Sequence, residues 1–198
     1  MDAVRIFGIP VARLTEAEAV ERIIALARER KGGRPAQIAT LNVDFVANAV
    51  GGRPFRGDAE LWNILKNADL VTADGMPIVL LSRLMGKPLP ERVTGADMVP
   101  ALCRRCAEEG MRVYVLGGDK AAVEEAFENL GLTTDTRNQD AMVLHPGVPD
   151  GVAQTCAKGL LSGIDTAFVK PDEDQPEIAE RINAAAPDIL FVALGNPK

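Results

Sequence analysis

A carboxylate stands at the end of a short apolar strand pattern in this sequence. Residues 69–74 read DLVTAD, and Gly75 follows directly, at the start of an apolar helix pattern that extends to residue 86. In open α/β sheets, ligands bind beyond the carboxyl ends of the strands, so polar residues at those ends carry functional weight. Asp74 in this position could act as a general base, and Gly75 lets a ligand approach the backbone. The alternative is that Asp74 only caps the helix that follows it.

Other predicted strand ends also carry polar or glycine residues. Thr40 and Asn42 lie two positions apart, so on a strand they share one face, where a hydroxyl and an amide could bind a sugar or a uracil edge. Gly117 and Gly118 separate a strand pattern from a helix pattern, but the third glycine of G-x-G-x-x-G is missing, which makes the indication for NAD weak. Asn196 follows the last strand pattern. The alternatives are polar strand ends satisfied by backbone groups and an ordinary tight turn.

Residues 87–95, KPLPERVTG, form a predicted loop in which Arg92 could bind a phosphate through two parallel hydrogen bonds. The alternative is a solvated charged loop.

Several motifs contain cysteine, histidine or acidic residues, but their positions or spacing are weak indications of redox chemistry or metal binding. Cys103 and Cys106 form a C-x-x-C, but it falls within a predicted helix, which favours burial over redox chemistry. A zinc site that adds His145 and Cys156 to this pair would have irregular spacing. The acidic run DED at 172–174 is formally an acid pair of the kind that holds a metal-bound nucleotide sugar, but the start of a charged helix explains it equally well. We therefore predict no metal site and no cofactor.

Strand and helix patterns alternate along the chain, which predicts an α/β protein with a doubly wound, Rossmann-like, mostly parallel sheet and helices on both faces. Thr15 with Glu18 predicts a capping box, Asp58 predicts a helix cap, and the apolar content of residues 75–86 predicts a buried helix. We predict one domain over residues 1–198, with an irregular insertion near residues 132–170. Because GNPK follows the last strand pattern, we also expect that a C-terminal segment is missing.

Composition narrows the class of protein. The formal net charge of −6 argues against a nucleic-acid-binding protein. The sequence has no run of 18 apolar residues and no signal-peptide layout at its N-terminus, and its three cysteines fit a reducing compartment, so we expect a cytoplasmic protein.

The motifs together resemble those of the WecG/TagA/CpsF family of bacterial glycosyltransferases. The matching segments are IFGIPVARLT, TLNVDFV, LVTADGMPIVLLSRLMGKPLPERVTGADMV, VYVLGGDKAAVEEAFENL and ILFVALGNPK, which cover the chain except for roughly residues 132–170. The resemblance implies an inverting, metal-independent transfer of N-acetylmannosamine or its uronic acid from a UDP-sugar to a polyprenyl-diphosphate-linked sugar, in the synthesis of cell-envelope polysaccharide.

The resemblance also assigns roles to residues. It implies that Asp74 is the base, that Thr40 and Asn42 lie near the donor, and that Arg92 contacts the diphosphate. Family members usually continue past the equivalent of Lys198 into a segment linked to membrane association, so the resemblance implies peripheral membrane contact for the longer protein and low activity without that segment. A truncated sheet end leaves apolar surface exposed, which favours self-association.

Two alternative functions are also compatible with the sequence. A nucleotide-binding, dehydrogenase-like module would be distinguished by a change in NADH fluorescence on mixing. A non-catalytic binding protein would hold a nucleotide or a partner subunit without turnover.

Overall fold

The computed structural model of the 198-residue chain describes residues 2–30, 33–52, 55–117, 125, 132–134, 142–144, 161–165 and 175–194. The chain divides into two compact units, Met1–Leu102 and Cys103–Lys198. The described helices are α1 (Glu16–Glu29), α2 (Val43–Val50), α3 (Ala59–Asn67), α4 (Met76–Leu84), α5 (Gly95–Glu109) and α6 (Gln175–Ala185). The described strands are β1 (Ala3–Ile6), β2 (Ile9–Ala12), β3 (Ile38–Leu41), β4 (Gly51–Gly52), β5 (Phe55–Arg56), β6 (Leu70–Ala73), β7 (Val113–Gly117), β8 (Leu132–Thr134), β9 (Met142–Leu144), β10 (Leu161–Asp165) and β11 (Ile189–Ala193).

The first unit contains a parallel pair of strands, β3 and β6, with one apolar and one more polar face. Their register places Thr40 opposite Thr72 and Leu41 opposite Ala73. Because alternate residues on a strand share a face, the positions of each strand separate into two sets. One set packs into the core of the unit together with the antiparallel hairpin β1–β2, and its members are Ala39, Leu41, Val71 and Ala73.

Helix starts in this unit follow the sequence closely. The predicted capping box is confirmed, because the Thr15 hydroxyl accepts from the N–H of Glu18 while the Glu18 carboxylate accepts from the N–H of Thr15. The predicted cap at Asp58 is confirmed by its hydrogen bonds from the first turn of α3. These caps satisfy N–H groups that have no partner within a helix, and they fix where α1 and α3 begin.

An acidic side chain anchors the start of β6. Asp69 accepts hydrogen bonds from the N–H of Gln37 at 2.9 Å and from Arg30 at 2.7 Å. The hydrogen bond from Gln37, together with the charges of Arg30 and Arg34, holds the pKa of Asp69 below its ordinary value. This cluster ties the end of α1 to the start of the β3–β6 pair.

A helix is present within residues 75–86, as predicted. The prediction that this helix is buried is wrong, because only one of its sides packs into the core. Ile78, Val79 and Ser82 of α4 are buried. Its opposite side is exposed to solvent, and Leu84 is 86% accessible. The helix is apolar on most of its circumference, so the sequence gives no contrast by which a solvent-facing side could be recognised.

The second unit contains a three-stranded parallel sheet in which β7 lies between β10 and β11. Its buried residues include Met111, the β7 residues Val113–Leu116, and Ile178 of α6. At the end of β7, Gly117 has φ +92°, and a Cβ there would lie 2.7 Å from the carbonyl oxygen of Ala193. Only glycine fits at this close approach between β7 and β11.

The alternation of strands and helices, with parallel pairing in both units, confirms the α/β class. Two short antiparallel strands, β8 and β9, lie within the stretch that the sequence analysis treats as an irregular insertion. The last strand of that stretch, β10, begins at Leu161. Except for Glu125, the helix pattern that follows Gly118 in the sequence lies outside the described residues.

Candidate functional site

The carboxyl end of the β3–β6 pair carries four polar side chains on one face. Thr40 and Asn42 follow one another on that face of the first strand, and Thr72 and Asp74 do so on the second. The ladder continues one step past the strands, because the N–H of Asp74 donates to the carbonyl of Leu41 at 2.8 Å. Neighbouring strands lie about 5 Å apart, so these four positions form a compact cluster. The sequence predicts Thr40, Asn42 and Asp74 at strand ends, and the register brings them together.

Asp74 does not cap α4, so the structural alternative raised from the sequence is wrong. The cap position of α4 is Gly75, and no side chain makes a capping hydrogen bond there. Within the described part of the chain, the Asp74 carboxylate forms no hydrogen bond and no ion pair. The side chain is half-buried. A carboxylate in this state keeps its lone pairs available to accept a proton from a bound hydroxyl.

Gly75 supplies a backbone conformation that a side chain would strain. Its φ is +133°, and this turn directs the chain from the end of β6 into α4. The start of α4 is a weak anion site, because Pro77 has no N–H and the N–H of Ile78 donates to the carbonyl of Gly75 at 3.2 Å. Gly75 is therefore best explained by the turn that it makes beside Asp74.

Asn42 fits the alternative raised from the sequence, since a backbone group satisfies part of its side chain. It is the cap of α2, and its Oδ1 accepts from the N–H of Phe45 at 2.9 Å. Its Nδ2 donates to no described residue, so a donor remains for a ligand. Thr40 lies against the start of α5, since a Cβ on Gly95 would be 3.6 Å from the methyl group of Thr40.

The loop that carries Arg92 is fixed against the end of β6. The N–H of Val93 donates to the carbonyl of Ala73 at 2.8 Å, on the side of β6 that faces away from β3. Further back in the loop, the N–H of Leu89 donates to the buried hydroxyl of Ser82 at 2.9 Å. These bonds hold residues 86–94 beside the candidate site.

Arg92 is paired with an acid. Its Nη2 lies 2.8 Å from Oδ2 of Asp97, in the first turn of α5, and both side chains are about half exposed. A guanidinium has five N–H donors, so this contact leaves donors for a diphosphate. The Asp97 charge nevertheless offsets part of the positive potential that the resemblance implies at this position.

Two further residues belong to this region and were missed from the sequence. Thr72 is 2% exposed, and its hydroxyl has no hydrogen-bond partner among the described residues. Thr94 caps α5, and its hydroxyl accepts from the N–H of Asp97 at 3.1 Å. The order Thr-Gly-Ala-Asp is a helix-start pattern that could have revealed Thr94, whereas a threonine within a strand gives no such signal.

The remaining predicted binding residues belong to the second unit. Gly117 ends β7, where its close approach to Ala193 accounts for the glycine. Gly118 and Asn196 lie outside the described residues. The structure therefore brings Thr40, Asn42, Gly75 and Asp74 together, with Arg92 in the loop beside them.

The cysteine pair is buried. Cys103 and Cys106 are buried within α5, and burial raises the pKa of each thiol to about 12. This confirms burial over redox chemistry for the C-x-x-C. The residues described contain no group of three or more potential metal ligands, and His145, Cys156 and the acidic run at 172–174 lie outside them. Within the same residues, no helix has the length and apolarity that a bilayer span requires.

Comparison with known proteins identifies similar sequences. The model of the glycosyl transferase WecG/TagA/CpsF family matches residues 4–198. A protein of Bacillus spizizenii (strain ATCC 23059 / NRRL B-14472 / W23), named N-acetylglucosaminyldiphosphoundecaprenol N-acetyl-beta-D-mannosaminyltransferase, is 31% identical over 134 residues, which cover 68% of this chain and 42% of that protein. A protein of Bacillus subtilis (strain 168) with the same name is 24% identical over 162 residues, covering 82% of this chain and 51% of that protein. The chain thus spans about half the length of the relatives it matches.

Proposed function

Because this chain belongs to the WecG/TagA/CpsF family of glycosyl transferases, we propose that it transfers a sugar from a UDP-sugar to a polyprenyl-diphosphate-linked sugar. N-acetylmannosamine is the donor sugar that the names of the two Bacillus relatives support, and its uronic acid is the alternative. We propose that the reaction inverts the anomeric configuration and needs no metal ion. We also propose that the whole chain forms one glycosyltransferase domain with a doubly wound sheet.

The proposed step is a single displacement with Asp74 as the base. The acceptor hydroxyl gives its proton to the Asp74 carboxylate while its oxygen forms a bond to the anomeric carbon. The bond from the anomeric carbon to the diphosphate oxygen breaks, and its electron pair leaves with UDP. The observation that carries this proposal is the Asp74 carboxylate, which has no partner among the described residues and lies on the same sheet face as Thr40 and Asn42.

The residues around this carboxylate bind the donor. The Nδ2 of Asn42 and the hydroxyl of Thr40 are the groups available to the UDP-sugar on the β3 side. Arg92 stabilises the charge that develops on the departing diphosphate, with the donors that its contact with Asp97 leaves unused.

The acceptor in the relatives' names is lipid-linked, and this supports contact between the protein and a membrane surface. We propose that the protein acts from the cytoplasmic side, as a peripheral protein, at the membrane that carries its acceptor. The donor would then reach Asp74 from solution and the acceptor from the bilayer.

Substitution of Asp74 tests the base assignment. We expect Asp74→Asn to lower kcat by about 10²–10⁴-fold with UDP-N-acetylmannosamine and a lipid-linked N-acetylglucosamine acceptor, while UDP affinity changes less than about twofold. Asp44→Asn is the matched control, since it removes an exposed carboxylate from the first turn of α2 and should keep normal turnover. Wild-type turnover in Asp74→Asn would show that the base is another group.

Calorimetric titration with UDP and with UDP-N-acetylmannosamine, each with and without magnesium, tests the donor. Binding of equal strength under both conditions supports the proposal. A change in NADH fluorescence on mixing, without any binding of UDP, would favour the dehydrogenase-like alternative.

A further inference from the structure

Helix α4 presents an apolar side to solvent. Met76 and Leu80 are each 48% exposed and Leu84 is 86% exposed, and these three residues are spaced four apart. Residues with that spacing lie on one side of a helix, one turn above another. We call Met76, Leu80 and Leu84 the α4 stripe. The core residues Ile78, Val79 and Ser82 lie on the other side of the helix.

Positive charges flank the α4 stripe. Arg83 and Lys87 are exposed, and neither forms an ion pair with any residue that the structure describes. The segment from residue 76 to residue 87 contains two basic residues and no acidic one, although the chain as a whole has a net charge of −6. The stripe is therefore a local exception to the acidic character of the protein.

We infer that the α4 stripe is the surface that rests on an anionic phospholipid bilayer, with Met76, Leu80 and Leu84 in the interfacial layer and Arg83 and Lys87 at the headgroups. An exposed apolar row with basic residues beside it is the chemistry of helices that lie in a membrane interface. Large exposed apolar side chains in a soluble protein also indicate a binding surface.

The position of α4 next to Asp74 connects this surface with the reaction, and this part of the inference rests on the proposed function. Asp74 directly precedes Gly75, which begins α4. A bilayer held against the stripe would place the candidate base close to the headgroup layer, where a diphosphate-linked acceptor sugar is presented. Association with the bilayer would thus bring the acceptor to the base without a membrane-spanning segment in the described part of the chain.

Cosedimentation with vesicles tests the inference. The probes are vesicles that contain phosphatidylglycerol and matched vesicles of phosphatidylcholine alone. We expect wild-type protein to bind the anionic vesicles and to lose affinity as salt is added, since salt screens the basic residues. Leu80→Gln with Leu84→Gln should weaken this binding by at least about tenfold. A second variant, Arg83→Gln with Lys87→Gln, should reduce the preference for anionic vesicles.

Two controls make the result specific. Ile64→Gln changes another exposed apolar residue, on α3, and should leave vesicle binding unchanged. UDP titration of each variant separates this inference from the proposed function, because the α4 variants should keep the UDP affinity of the wild type. If UDP binds but no vesicle does, the inference is wrong and the proposed function stands; if vesicles bind through α4 but UDP does not, the proposed function is wrong.

Two further outcomes would overturn the assignment of the stripe. Equal vesicle binding by wild type and by both α4 variants would place the membrane contact elsewhere. A wild-type dimer that the Leu80→Gln, Leu84→Gln variant converts to a monomer, with no vesicle binding by either, would show that the stripe pairs with a second copy of the chain.

Discussion

Replacement of Thr72 by valine should make the protein more stable. The Thr72 side chain is buried on the site face of β6, and its hydroxyl has no hydrogen-bond partner among the described residues. A buried hydroxyl without a partner costs roughly 1–3 kcal/mol relative to its state in water. Valine has nearly the same shape and removes that cost. We expect Thr72→Val to raise the free energy of unfolding by about 1–2 kcal/mol, and the melting temperature by about 2–8 °C for a chain of this size.

The chain contains a matched control for this substitution. Thr94 is also a buried threonine, but its hydroxyl accepts from the N–H of Asp97 and caps α5. The same change, Thr94→Val, removes this bond and should lower the free energy of unfolding by about 1 kcal/mol. The two variants thus make an identical chemical change with opposite expected signs.

Urea unfolding followed by tryptophan fluorescence measures both effects. Trp62 is the only tryptophan of the chain, and it lies on α3 in the same unit, with its indole N–H donating to the carbonyl of Phe7 at 3.1 Å. Its signal therefore reports on the unit that contains both threonines. A loss of stability in Thr72→Val would refute the reasoning, because it would mean that the hydroxyl has a partner in solution.

Three further predictions concern charge and ionisation. Asp97→Asn should strengthen UDP binding about fivefold in a titration, because it removes about 1 kcal/mol of opposing charge beside Arg92; if neither Asp97→Asn nor Arg92→Ala changes UDP affinity, Arg92 does not contact the nucleotide. Asp69→Asn should lower the free energy of unfolding by about 1–2 kcal/mol at neutral pH. Because the folded-state pKa of Asp69 is lowered, its contribution is present above the ordinary value of 3.8 and is lost as the pH falls through the folded-state pKa, so urea unfolding of wild type and variant should converge in acid and not in base. Cys103 and Cys106, whose pKa values are raised to about 12, should resist iodoacetamide at mildly alkaline pH until urea is added, as read by peptide mass spectrometry; rapid labelling of the native protein would contradict their burial.

The candidate site was partly predictable because strands have a period of two. That period predicts that Thr40 and Asn42 share a face, and the position of Asp74 at a strand end marks it as a candidate base. The sequence does not contain the register between β3 and β6, because parallel strands far apart in the chain are aligned by packing and not by a turn. The pairing of Thr40 with Thr72 is therefore visible only in the structure.

Other features lacked a local signal altogether. Arg92 lies in the loop before α5 and Asp97 lies in the first turn of α5. Neither the strand period nor the helix period therefore predicts that their side chains meet. The exposure of Leu80 and Leu84 was missed because apolar residues on several sides of a helix are typical of a buried helix.

The caps at Thr15 and Asp58, in contrast, were predictable because capping depends on residues only a few positions apart.

The long connection between β3 and β6 also sets when the site can form during folding. The β1–β2 hairpin closes through a two-residue turn, a local event on the scale of about 1–10 μs. The pairing of Thr40 with Thr72 must instead wait until residues 42–69 have closed a loop that contains two helices, and such non-local contacts form late. A chain in which only the β1–β2 hairpin has formed would then lack the cluster around Asp74. A nucleotide that binds this cluster binds only the folded unit. It should therefore slow unfolding and leave the refolding rate unchanged.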